Sequence, residues 1–339
     1  MDGRPEGVRD PVLSVIFERA AAGSRPRQRA DAHRVCLAVE GGGMRAAATA
    51  GMCAMLGEAG LMDAFDCVYG CSAGALNGAY AAAGQATVWA TSFEDTANRQ
   101  FIDRRRVLRR RPVLDMDFLF GEVIGIRLPV SVAGLARGPE FRAVAVSLED
   151  VTLRVLRDFG TVAELMAAVR VSCAVPLLGG APPEFRGERM VDGGLLEPIP
   201  FRSALGDGAT HVLVLRSRDA RYRSRPYGRM VELALGRVHP ELRPLVHTGD
   251  ERYNHAAEEL EALGRHPAGT PLVTQIAVPD GSRLTDRLST DRAAIADSIR
   301  LGAAAMASAL LGEPARVVWR PVPYAAGRLG FPAAAERAS

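Results

Sequence analysis

The sequence predicts an α/β fold in which a mainly parallel sheet is covered by helices on both faces. Three observations lead there. Short apolar runs of strand length recur, beginning with residues 34–39 and 65–69. Each runs into a cluster of glycine and other small residues that demands a sharp turn. Each turn opens onto an Ala-rich stretch with helical spacing, 46–59 and 75–83, followed by Gly60 and Gly84 where a C-terminal cap glycine belongs.

The same reading extends downstream. Residues 142–148 and 151–156 read as two strands joined by a turn at Glu149 and Asp150. Residues 161–173 read as a helix, with Thr161 and Glu164 at the spacing of a capping box. Arg189–Val191 leads into Asp192-Gly193-Gly194, and 210–215 is a further buried strand. Stretches 228–264 and 289–311 are helical by pattern, with a strand at 272–278 between them. No Pro-, Gly- or Ser-rich linker divides the chain and no internal repeat is visible, so one domain is expected.

The chain has 339 residues and is 48% apolar, enough for a large packed core. Its 42 basic and 39 acidic residues leave a net charge of only +3, which argues against nucleic acid as a partner. All the basic residues are Arg, a pattern that fits coding bias better than selection for phosphate contacts. Cys36, Cys53, Cys67, Cys71 and Cys173 are odd in number and form no Cys-x-x-Cys pair, so reduced, buried thiols and a cytoplasmic location are expected. Residues 1–33 hold no apolar stretch of signal-peptide length. The late apolar segment 303–311 is about half of the ~20 residues that span a bilayer, so no membrane anchor is expected.

Chemistry concentrates at the turns. Gly70-Cys71-Ser72-Ala73-Gly74 lies between a strand and a helix, with Gly70 and Gly74 giving the clearance that a nucleophile elbow at Ser72 needs. The following helix aims its unpaired N–H groups at the same place. Gly41-Gly42-Gly43-Met44-Arg45 forms a second strand-to-helix loop, where consecutive glycines let amides converge on a tetrahedral oxyanion. A phosphate loop is the weaker alternative, because the Gly-Lys-Ser/Thr ending and the Gly-x-Gly-x-x-Gly pattern are both absent. Asp192, followed by Gly193 and Gly194 at a strand end, can take the proton of a serine directly.

These three motifs, in this order, resemble the patatin-like phospholipases over residues 34–216. The resemblance implies a three-layer α/β/α sandwich, a Ser-Asp dyad without histidine and hydrolysis of fatty-acyl esters of lipids, phospholipids or lysophospholipids among them. By the same resemblance Ser72 is the nucleophile, Asp192 the base, and Gly41, Gly42 and Gly43 supply the oxyanion hole. Arg45 matches the family's arginine in that loop, and Gly70, Gly74, Gly193 and Gly194 are supporting positions. Ala46 stands where family members usually carry Gly. The chain then divides into an N-terminal extension (1–33), a catalytic core (34–216) and a C-terminal helical part of the same domain with one further strand (217–339).

No metal or organic cofactor is implied. An acyltransferase or thioesterase on the same dyad, or a catalytically silent lipid-binding or regulatory relative, are the rival functions. A carboxylate base with a pKa near ~4 would set the acidic limb of activity. His211, His239, His247, His255 and His266 follow Ser72, but none sits in a small-residue loop after a strand, so each is expected to be structural. The run Arg104–Arg111, with Val107 and Leu108 inside it, is either a contact for an anionic membrane or a solvated basic segment.

Overall fold

The computed structural model describes residues 10–314, apart from residue 268. Eight strands form its sheet: β1 (Val35–Val39), β2 (Cys67–Cys71), β3 (Glu140–Ser147), β4 (Leu153–Leu156), β5 (Glu184–Phe185), β6 (Glu188–Asp192), β7 (His211–Leu215) and β8 (Leu272–Ile276). The run β3-β2-β1-β7-β8 is parallel throughout, while β4 and β6 pair antiparallel with β3 and β5 pairs with β6. The sheet is therefore mainly parallel, as the sequence predicts.

Side chains of β1, β2 and β7 alternate between two cores, as the period of two along a strand requires. Val35, Leu37, Val39, Val68, Leu213 and Leu215 face the larger core, formed with the helices Ala47–Glu58, Ala73–Ala82, Val162–Ser172 and Arg292–Leu311. Cys36, Ala38, Tyr69, Val212 and Val214 face the other, closed by the helices Phe201–Gly206 and Gly249–Leu263. Fully burying one such Leu or Val contributes roughly 1.5–3 kcal/mol. This is the three-layer α/β/α arrangement.

The flanking segments join the same body. Asp10 caps and Pro11 opens the helix Pro11–Ala21, whose Val12, Leu13 and Ile16 are buried in the larger core. The span 1–33 is thus built into the domain from residue 10 onward, and residues 1–9 lie outside the described residues. Likewise β8 and the helix Arg292–Leu311 complete the sheet and core within 217–339, of which 315–339 lie outside the described residues. By length and composition Arg292–Leu311 could cross a membrane. Here it lies against Ala47–Glu58 so closely that a Cβ on Gly302 would run into the Ala48 carbonyl.

The stretch 228–264, helical by pattern, is three helices, Arg229–Val238, Arg243–His247 and Gly249–Leu263. Pro240 and Pro244 explain the first break, since each lacks the N–H that a helix running on from Val238 would use; Thr248 separates the other two helices.

One feature of β3 positions the site. Glu140 donates its N–H to Asp66 beside β2, Leu148 donates to Arg189 of β6, and Ser147 donates to Thr152 beside β4. Even-numbered and odd-numbered N–H groups point to opposite edges of a strand. So β2 and β6 share one edge of β3 and meet end to end, Cys71 opposite Val144 and Asp192 opposite Ala145.

Candidate active site

Ser72 leaves β2 with φ 55° and ψ −132° and caps the helix Ala73–Ala82. A non-glycine residue with positive φ is strained by roughly 1–3 kcal/mol and persists only where its surroundings hold it. The surroundings here are two residues that no sequence signal marked. Ser172 accepts the Ser72 N–H at 3.1 Å and donates its own hydroxyl to the Val144 carbonyl at 2.7 Å. The Cys173 thiol donates to the Ser72 carbonyl at 3.0 Å. Both sit at the end of the helix Val162–Ser172, a hundred residues away in sequence and therefore without a local pattern to find them.

The Gly41–Gly43 loop is packed directly on this elbow. A Cβ on Gly41 would lie 2.5 Å from the Cys71 carbonyl oxygen and 2.8 Å from the Ser72 Cβ, and one on Gly74 would strike the Val39 carbonyl. The two loops thus approach backbone to backbone, which any larger side chain at these positions would prevent. Gly42 and Gly43 have φ of 146° and 60°, and the short 3₁₀ turn Gly43–Ala46 follows. As the opening residues of that turn they have no intrahelical acceptor for their N–H groups. Ala46 is buried inside the turn without disrupting it.

Asp192 ends β6 and is 6% exposed. Its carboxylate accepts the Gly194 N–H at 2.8 Å and the Cys71 thiol at 3.8 Å, and Ser72 lies beside it in the same cavity. Burial pushes its pKa up to about 6, while Ser72, the Gly194 N–H, the charge of Arg287 and the Cys71 thiol act in the opposite direction. The ordinary carboxylate value expected from sequence does not apply, because desolvation penalises the charged form more than these partners favour it. Gly70 packs on the Ala75 backbone, Gly193 on the Val144 carbonyl.

Ser72, Asp192 and all three loop glycines line one cavity of about 220 Å³. Its apolar wall comes from Leu76, Trp89, Phe93, Phe101, Ile102 and Met116. Most of these belong to residues 86–137, a region where the sequence pattern gave little guidance. Among the described residues no histidine lines it. His211 opens β7 at the opposite end of the sheet, against the His33 ring at 4.5 Å, and burial pushes its pKa down to about 4.

Arg45 lies in the cavity wall, 8% exposed, and its Nε has no hydrogen-bond partner. Burial, with the neighbouring charges of Arg287 and Arg218, brings its pKa down to about 10. Arg218 stacks on Tyr222 at 4.0 Å and also keeps a buried, unbonded Nε. Glu40, whose charge acts on Arg45, is already committed to Ser217, Arg216 and Tyr253. Three guanidinium groups therefore gather beside the cavity with no carboxylate among the described residues paired to them.

Residues 37–205 match the family model of the patatin-like phospholipases. The chain belongs to this family, and at the level of the family it is a lipid acyl hydrolase. A curated relative, the uncharacterized protein YjjU of Escherichia coli K12, is 26% identical over 252 residues, 73% of this chain and 69% of its own length. Among solved structures, VipD from Legionella pneumophila aligns at TM-score 0.41 and 12% identity, covering 83% of this chain and 67% of that one. Human GIVD cytosolic phospholipase A2, in complex with methyl gamma-linolenyl fluorophosphonate, aligns at TM-score 0.41 and 12% identity over 89% of this chain and 63% of its own.

Proposed function

We propose that the protein is a serine acyl hydrolase that cleaves fatty-acyl esters of phospholipids or lysophospholipids through an acyl-Ser72 intermediate. The observation that carries this reading is the buried Asp192, set beside Ser72 at one end of an apolar cavity. Asp192 takes the Ser72 proton as the oxygen attacks the ester carbonyl. The tetrahedral oxyanion is met by amides of the Gly41–Gly43 loop, and its collapse releases the alcohol, which recovers the proton from Asp192. Water then attacks the acyl-serine by the same route, with Asp192 again as base.

A raised pKa suits this role, since a base near the working pH is a better proton acceptor than an ordinary carboxylate and still ionised at neutrality. The apolar wall fits an acyl chain, and the unpaired Arg45, Arg218 and Arg287 fit an anionic headgroup. We place the enzyme in the cytoplasm, with peripheral contact to anionic membrane through Arg104–Arg111. That segment exposes Val107 and Leu108, and it is bracketed by the cavity residues Ile102 and Leu114.

The test is labelling by a fluorophosphonate probe together with hydrolysis of p-nitrophenyl esters. Wild-type protein should label and turn over, and Ser72→Ala should do neither while keeping its circular dichroism. Turnover retained by folded Ser72→Ala would sink the serine mechanism. Adding competing alcohols and thioester donors separates hydrolysis from acyl transfer.

A further inference from the structure

The run of glycines that lets amides converge also leaves the loop free to flip. Rotating the Gly41–Gly42 peptide changes only ψ of Gly41 and φ of Gly42, and neither residue has a Cβ to oppose the rotation. In a planar trans peptide the C=O and the next N–H point in opposite directions. A flipped peptide would therefore present the Gly41 carbonyl oxygen to the cavity where an N–H is needed. Something must hold the plane.

We propose that Ser217 is that lock, a positioning residue that keeps the Gly42 N–H turned into the cavity. The inference rests on the serine acyl hydrolase reading. Ser217 is fully buried, two residues beyond β7, and its hydroxyl donates to the Gly41 carbonyl at 2.7 Å. With the carbonyl drawn back to Ser217, the Gly42 N–H is directed away from it, and Gly42 lines the cavity.

Ser217 is itself held. Its N–H donates to Glu40 Oε2 at 2.6 Å, and Tyr253 donates to Glu40 Oε1 at 2.8 Å. Arg216 bridges the set, reaching Tyr253 Oη at 3.0 Å, Glu40 Oε2 at 3.3 Å and Gln275 Oε1 at 2.7 Å. Glu40 and Arg216 are 3% and 0% exposed, so water cannot substitute for these partners. Because β1 and β7 are adjacent and in register, Glu40-Gly41 and Arg216-Ser217 leave the sheet side by side. The lock is thus built at the end of β7, beside the strand β1 that carries the loop.

The experiment compares wild type, Ser217→Ala and Ser217→Cys in kcat, KM, fluorophosphonate labelling rate and affinity for a trifluoromethyl ketone, which forms an oxyanion on attack. Ser217→Ala should lower kcat, labelling rate and ketone affinity on the order of 10- to 100-fold, less than the 10²–10³ of deleting an oxyanion donor outright. KM should hold within about twofold, and Ser217→Cys, a weaker donor, should fall between. Wild-type kcat and ketone affinity in Ser217→Ala would overturn the proposal, as would a loss confined to KM. If Ser217→Ala does not fold, Tyr253→Phe removes the hydroxyl that holds Glu40 and must show the same kcat-selective loss. Unchanged kcat in Tyr253→Phe would then refute the lock. A wild-type protein that never labels at Ser72 would instead bring down the hydrolase reading, and the lock with it.

Discussion

The Cys71 thiol donates to Oδ1 of Asp192 at 3.8 Å, from the position immediately before Ser72 in the chain. Burial raises the thiol's own pKa well above its usual value, so it stays protonated and remains a donor. Its bond favours the ionised carboxylate. Cys71→Ala should therefore raise the Asp192 pKa above about 6 and move the acidic limb of kcat/KM to higher pH, whereas Cys71→Ser should leave it close to wild type. A limb that stays put in Cys71→Ala would mean the thiol does not act on Asp192.

Asp192→Asn should trade activity for stability. Turnover should fall by roughly 10²–10⁴, the usual range for loss of a general base. The folded pKa is raised from 3.8 to about 6, so the contribution of this group to stability is complete below about pH 4 and is lost as pH rises through 6. At about 1.4 kcal/mol per pH unit, the ionised carboxylate destabilises the fold by about 3 kcal/mol above pH 7. Asn cannot ionise, so denaturant unfolding at pH 8 should find the variant on the order of 2–3 kcal/mol more stable, with the gain gone at pH 4. A variant no more stable at pH 8 would contradict the buried, strained carboxylate. A limb near 6 also falls in the ordinary histidine range, so single His substitutions must accompany the profile. None should approach the loss in Asp192→Asn.

Arg287 is exposed at the cavity rim and adds positive charge near both Arg45 and Asp192. Arg287→Gln should raise KM severalfold for a lysophospholipid with an anionic headgroup and leave a neutral monoacylglycerol nearly unaffected. The acidic limb should also shift upward, because a charge favouring ionised Asp192 has been removed. Equal KM changes for both esters would show that the arginines do not read headgroup charge.

The membrane contact can be examined by reversing charge at Arg104, Arg105 and Arg109, which with Val107 and Leu108 are exposed. Sedimentation with vesicles rich in anionic lipid should weaken, most at low salt, where screening is least. Hydrolysis of a soluble short-chain ester should not change. Vesicle binding equal to wild type at low ionic strength would reduce the segment to a solvated surface.

The parts of the site that were legible in sequence are those built from neighbours. Gly41–Gly43 and the turn at Ser72 each announce themselves as apolar run, small residues, helix, because the strain and the clearance are local needs. Asp10 and Pro11 offer an equally local signal for a helix start within the 1–33 extension. Pro240 and Pro244 likewise mark a break that the apolar spacing of 228–264 masks. What could not be read is whatever depends on pairing between distant segments. Asp-Gly-Gly at 192–194 gives no hint that β6 runs antiparallel into the end of β2. Ser172, Cys173 and Ser217 are ordinary residues until the fold sets them against a particular carbonyl or N–H.

Because β2 and β6 occupy consecutive positions along one edge of β3, the spacing between Ser72 and Asp192 is measured off by a third strand that contributes neither. One residue inserted between Val144 and Ala145 would part Ser72 and Asp192 by about 3.4 Å, or turn one of them to the other face of the sheet, and leave every motif in the sequence intact. A descendant of this chain could therefore lose its chemistry through a change that no inspection of its glycines, serine or aspartate would detect, and β3 is the place to look for it.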